Sequence, residues 1–168
     1  MQGSGNRTAV VFYSLEGNTR FAAGKIAKML DADLIEIQPV KPYPTGKISK
    51  FFWGGKSSTL METPKLKTCS FREEDYDTVI LGTPLWAWKI APPLRTFLQE
   101  NNLSGKNTAA FISCGGGDTA KAFDEIRKLT GKEKLAAELV LVNPHSMGDG
   151  IDKKLSAFCG QTKKRFRQ

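Results

Sequence analysis

The stretch Thr8-Ala9-Val10-Val11-Phe12-Tyr13-Ser14-Leu15-Glu16-Gly17-Asn18-Thr19 decides the fold. Its first half is a continuous apolar, β-branched run, the pattern of a strand buried on both faces. The second half brings two hydroxyls, an amide and a glycine. It leads into Ala22, Ile26, Met29 and Leu30, spaced as one stripe of a helix. A buried strand, a polar turn and an amphipathic helix open a βαβ unit.

The alternation then repeats. Leu34-Ile35-Glu36-Ile37 reads as a second strand, ended by Pro39. Thr78-Val79-Ile80-Leu81-Gly82 is a third, followed by a helix that buries Leu94, Phe97 and Leu98. Thr108-Ala109-Ala110-Phe111-Ile112 is a fourth, with Phe123, Ile126 and Leu129 on the helix behind it. Leu139-Val140-Leu141-Val142 is a fifth, before a helix with Ile151, Leu155 and Phe158 in one stripe. Five strands with helical crossovers predict an α/β fold, a doubly wound five-stranded parallel sheet covered on both faces. At roughly 150 residues per domain the chain of 168 residues makes one domain, 1–168, with 1–7 and 161–168 as flexible tails. Lys41 to Arg72 fits least well. Pro42, Pro44 and Pro64 punctuate it, and Gly54-Gly55 interrupts a helix expected around Ile48 to Leu60. Long connections of this kind often carry function, although Phe51-Phe52-Trp53 reads better as packing than as a ligand cover.

Composition excludes several classes. The formal net charge is +8, from 25 Lys+Arg against 17 Asp+Glu. The basic residues are dispersed, and the one dense run, Lys163-Lys164-Arg165-Phe166-Arg167, reads as a solvated tail, so no nucleic-acid partner is expected. No apolar run approaches the ~18 residues of a membrane span. Cys69, Cys114 and Cys159 are isolated, with His145 the one histidine. That pattern gives neither a disulfide framework nor a metal site, and points to a reducing, cytoplasmic setting.

In an open parallel sheet, ligands bind beyond the carboxyl ends of the strands, where the winding reverses. After strand one, Ser14 and Thr19 offer hydroxyls, Asn18 an amide, and Gly17 a close backbone approach at a helix start, together a phosphate cradle. The plain alternative is a strand-to-helix turn with hydroxyl caps. A nucleoside triphosphate is poorly supported: Gly55-Lys56-Ser57 has Lys50 where the first Walker glycine belongs. After strand three comes Thr83-Pro84-Leu85-Trp86-Ala87-Trp88, whose indoles offer flat walls for a planar ligand unless they fold back on the core. After strand four comes Ser113-Cys114-Gly115-Gly116-Gly117-Asp118-Thr119. Its match to a dinucleotide fingerprint is formal, because too little chain follows for the rest of such a fold. A thin loop whose backbone approaches a heterocycle is the better reading, with Asp118 as a helix cap and Cys114 as a small packing residue. The three loops together describe a site for a phosphorylated planar molecule.

On S-L-E-G-N-T at Ser14 to Thr19, T-P-L-W-A-W-K-I-A-P-P at Thr83 to Pro93, and S-C-G-G-G-D at Ser113 to Asp118, the chain resembles the flavodoxin family from about Thr8 to Phe158, in its short-chain form. The resemblance implies strand order 2-1-3-4-5, one noncovalent FMN and a redox role in electron transport. It implies that Ser14, Leu15, Glu16, Gly17, Asn18 and Thr19 surround the FMN phosphate. Thr83, Pro84, Leu85, Trp86, Ala87 and Trp88 then lie along the isoalloxazine, with Trp86 or Trp88 stacked on it. Cys114, Gly115, Gly116 and Asp118 border its pyrimidine end.

Three departures stand out. Glu16 replaces a hydroxyl that the family often has, so its carboxylate is expected to point to solvent. Ala87 stands where many members keep a glycine whose peptide flips on one-electron reduction; a positive φ there costs about 1 kcal/mol more for Ala. Typical members are acidic, whereas this chain is +8, so its redox partner proteins are expected to be acidic. The flavin would do the chemistry, with no catalytic side chain required. The competing function is an NAD(P)H-dependent quinone or flavin oxidoreductase on the same fold, acting on a small nicotinamide or quinone substrate. A phosphorelay receiver shares the strand order but needs an Asp after strand three, where Thr83-Pro84-Leu85 has none.

Overall fold

The computed structural model describes residues 7–45 and 61–166. The expected helix at Ile48 to Leu60, the Phe51-Phe52-Trp53 cluster and Gly55-Lys56-Ser57 lie outside the described residues, as do 1–6 and 167–168 of the expected tails.

Buried apolar runs form the strands, and one-sided stripes form the helices. In chain order these are β1 (Thr8–Phe12), α1 (Asn18–Leu30), β2 (Asp33–Glu36), β3 (Thr78–Trp86), β4 (Lys89–Ile90), α2 (Pro92–Glu100), β5 (Asn107–Cys114), α3 (Ala120–Thr130), β6 (Glu138–Val142) and α4 (Gly150–Phe166). Five strands are parallel in the order β2-β1-β3-β5-β6, which is the expected 2-1-3-4-5 with the short antiparallel β4 counted separately. The winding reverses between β1 and β3, paired from Thr8↔Thr78 to Phe12↔Gly82.

Alternate strand residues feed two cores. Ala9, Val11, Val79 and Leu81 face α2 and α3 through Leu94, Phe97, Phe123 and Ile126. Val10, Phe12, Ile80 and Phe111 face α1 and α4 through Ala22, Ile26, Ile151, Leu155 and Phe158. Met29, expected on the buried stripe of α1, is 36% exposed, while Leu30 on the same stripe packs partly buried against the core. At Gly82 the sheet leaves no room for a side chain: a Cβ there would lie 2.3 Å from Cζ of Phe111, its partner on β5.

Two findings differ from the sequence reading. The α4 helix continues to Phe166, through residues read as tail. Thr162 is buried, its hydroxyl donates to the Phe158 carbonyl, and its own carbonyl accepts from Asn107 Nδ2. The lysines that suggested a tail, Lys163 and Lys164, are on the exposed side of this helix. Second, Thr83 to Trp86 are not loop. They prolong β3, which β5 accompanies as far as the Pro84↔Ser113 pair, and β4 pairs back through Leu85↔Ile90 and Trp86↔Lys89.

The base of that β3–β4 hairpin is clamped by a buried ion pair. Arg95 of α2, 1% exposed, donates from Nε to Glu125 of α3 at 2.5 Å and from Nη1 to the Glu62 carbonyl at 3.1 Å. Glu125 also accepts from the Ile90 N–H at 3.4 Å. Thr83 accepts from the Ala91 N–H at 3.0 Å while donating to the Pro84 carbonyl. Replacing Arg95 by Met leaves the Glu125 carboxylate uncompensated and should cost about 3–5 kcal/mol, read as a lower urea midpoint with an unchanged slope. Gly82→Ala should cost about 1–3 kcal/mol in the same measurement, through displacement of Phe111.

Candidate functional site

The carboxyl ends of β1, β3, β5 and β6 open onto a cavity of about 780 Å³. Its size lies within the usual range for small-molecule sites. From the β1 turn come Ser14, Leu15, Glu16, Asn18 and Thr19; from the β3–β4 hairpin Pro84, Leu85, Trp86, Ala87 and Trp88; and from the β5 turn Cys114, Gly115 and Gly116. Thirteen of the sixteen sequence-derived candidates thus line one cavity.

Gly17, Thr83 and Asp118 are not in its lining. Gly17 acts one step removed. At φ 98° it is the N-cap of α1, a backbone position that disfavours any side chain, and its N–H donates to Ser14 Oγ at 3.1 Å. Thr83 is fully buried in the hairpin base. Asp118 is exposed and accepts from the Ala120 N–H at 2.9 Å, holding the start of α3 from one residue before its N-cap, Thr119.

Three lining residues were missing from the sequence-derived set: Ser113, Gly117 and Asn143. Ser113 and Gly117 belong to the same turn after the fourth strand as the candidates Cys114, Gly115 and Gly116. Asn143 follows β6, where the carboxyl-end rule applies as well; it sits at φ 46° and its N–H donates to the Cys114 carbonyl.

The β1 turn presents donors. Helix α1 has neither a side-chain cap nor an acidic residue in its first turn, so its leading N–H groups and dipole face the cavity beside Asn18 and Thr19. Ser14 Oγ accepts from Gly17, which leaves its own proton to donate. Arg20 is committed elsewhere, to Glu36 at 3.0 and 2.5 Å, and that pairing raises its pKa further. Glu16 lies in the same turn and is exposed. A backbone-and-hydroxyl donor set of this kind suits a phosphate.

The hairpin presents aromatic walls, and it separates the two tryptophans. Trp86 is half-buried and edge-on to Tyr13 and Tyr43, with centroids 5.6 and 5.2 Å away. Burial pushes the Tyr13 phenol up, so it stays protonated. Trp88 is 60% exposed and lies at the tip. The tip is strained: Ala87 and Trp88 have φ 48° and 64° in a two-residue turn usually built from Asn and Gly. Opposite, a Cβ at Gly116 would meet nothing within 4 Å, so the thin β5 turn leaves open space for a flat ligand. Cys69, Cys114 and Cys159 are free, and burial raises the Cys159 thiol pKa.

Helices on both faces of a parallel sheet, with an anion cradle and a ring slot at the winding switch, define a doubly wound ligand-binding domain. The chain belongs to the flavodoxin family, whose sequence model matches residues 7–153. No curated protein sequence matches it. Among solved structures, a provisionally described flavoprotein from Bacteroides uniformis ATCC 8492 is 25% identical, with TM-score 0.71, over 82% of this chain and 90% of that one. A similarly described flavoprotein from Bacteroides eggerthii DSM 20697 is 24% identical, with TM-score 0.69, over 92% and 98%. A flavoprotein from Lactobacillus acidophilus NCFM, solved in complex with FMN, is 17% identical, with TM-score 0.66, over 89% and 99%. Among the described residues no helix is long and apolar enough to cross a membrane, and no cluster of ligating side chains could hold a metal.

Relief of the hairpin strain is measurable. Ala87→Gly should stabilise the ligand-free protein by about 1 kcal/mol, seen as a higher thermal or urea midpoint.

Proposed function

We propose that this chain binds one FMN in the 780 Å³ cavity and serves as an electron carrier. The observation that carries the reading is the convergence on one cavity of the uncapped start of α1, the Trp86-Ala87-Trp88 hairpin and the thin Cys114 to Gly117 turn. Ser14, Asn18 and Thr19 would hold the phosphate through the hydroxyls and N–H groups at the start of α1. The ring would lie between the hairpin and the β5 turn. When bound, FMN supplies the redox chemistry. The protein contributes binding, exclusion of water by Leu85 and the indoles, and the electrostatic setting.

The family membership and the FMN-bound relative support the cofactor. The +8 balance supports acidic protein partners, because long-range charge steers encounter and rejects like-charged surfaces. Exchange with such a partner should therefore slow as ionic strength rises.

Titration of the purified protein with FMN tests the reading. Tryptophan fluorescence should be quenched to an endpoint of one FMN per chain, with the flavin bands shifted on binding. Trp88→Ala should weaken FMN about tenfold with little loss of fold stability, since that ring is mostly exposed. Unchanged fluorescence at high FMN would defeat the proposal. Rapid reduction of the bound flavin by NADPH, followed by quinone turnover, would assign the NAD(P)H oxidoreductase role instead of the carrier role.

A further inference from the structure

Inside the cavity wall lies a pair of hydroxyls that the reading above does not use as a pair. Thr19 Oγ1 and Ser113 Oγ are 2.6 Å apart, across 94 residues of sequence. Both line the cavity, and they are 1% and 2% exposed. Ser113 is fixed between neighbours on both sides, Pro84 of β3 and Leu141 of β6. Thr19 stands in the first turn of α1, at the end that has no side-chain cap.

The proton count makes this pair directional. Two hydroxyls carry two protons, and only one can lie between the two oxygens. Among the described residues neither hydroxyl has another hydrogen-bond partner. The second proton therefore belongs to whichever hydroxyl accepts the shared one. Where a dianion sits at the start of α1, a charge-assisted bond from Thr19 is about twice as strong as a neutral one. That fixes the order as Ser113 O–H to Thr19 Oγ1, and Thr19 O–H to the anion. Each bond polarises the next.

We propose that Ser113 is a positioning residue that turns the Thr19 hydroxyl onto the ligand's phosphate and so makes the site prefer FMN over riboflavin, the same ring without phosphate. The inference rests on the FMN reading and deepens it. The β5 strand, whose following turn flanks the ring, thereby also sets the phosphate contact made from β1.

Fluorescence titrations with FMN and with riboflavin, on the wild type, Ser113→Ala, Thr19→Val and the double variant, test it. Ser113→Ala should weaken FMN about threefold to tenfold, the worth of one net hydrogen bond, and change riboflavin affinity less than about twofold. The double variant should bind FMN no more weakly than Thr19→Val alone, because both changes break one chain. An equal loss for both ligands, or a loss that adds to that of Thr19→Val, would show that Ser113 only packs and would overturn the relay. If the wild type binds FMN and Ser113→Ala matches it, the relay falls and the FMN reading stands. If the wild type binds neither flavin, both fall.

Discussion

A hairpin whose two turn residues both have positive φ cannot hold that shape alone, and one wall of the cavity depends on it. Each left-handed residue with a Cβ costs about 1–2 kcal/mol. The compensation lies at the base, where the N–H of Ile90 meets Glu125, the N–H of Ala91 meets Thr83, and Arg95 closes the ion pair at 1% exposure. A buried pair of charges gives little net stability against an apolar substitute, but breaking one partner is expensive. Its use here is geometric. It fixes where Trp86 turns inward to Tyr13 and Tyr43 and where Trp88 is left outside.

The β1 side of the cavity is organised on the opposite principle. Among the described residues no lysine or arginine lines the cavity, and Arg20 is tied to Glu36. What that side offers is backbone N–H groups, a helix dipole and three hydroxyls, Ser14, Thr19 and Ser113. Fixed dipoles of this kind are already oriented before a ligand arrives.

The architecture was legible because parallel strands buried on both faces read as near-continuous apolar runs, as at Thr8 to Tyr13 and Thr78 to Gly82. The β1 turn was legible as cavity lining because its hydroxyl- and amide-bearing stretch, Ser14 to Thr19, follows such a run directly. The hairpin was not. Pro84 reads as a break, yet it sits where β3 is flanked by β5 and no longer by β1, and sheet-edge positions tolerate a missing N–H. A two-residue strand such as β4 has no periodicity to find, and its pairing is set by the clamp beneath it. Asn143 escaped because it adjoins an apolar strand and reaches the cavity only through tertiary placement, and the part played by Ser113 because its contact with Thr19 spans 94 residues. The basic stretch from Lys163 read as tail for a similar reason: the contact that anchors it, Asn107 to the Thr162 carbonyl, spans 55 residues.

The strand order also gives the molecule two unlike poles. Every lining turn is at the carboxyl pole, while Arg7, Asn107 and the Thr162 end of α4 gather at the amino pole, with Thr8, Thr78 and Asn107 in register across it. A tether, a fused protein or an electrode linker joined at either end of the described chain would therefore hang from the far side and leave the mouth of the cavity facing outward.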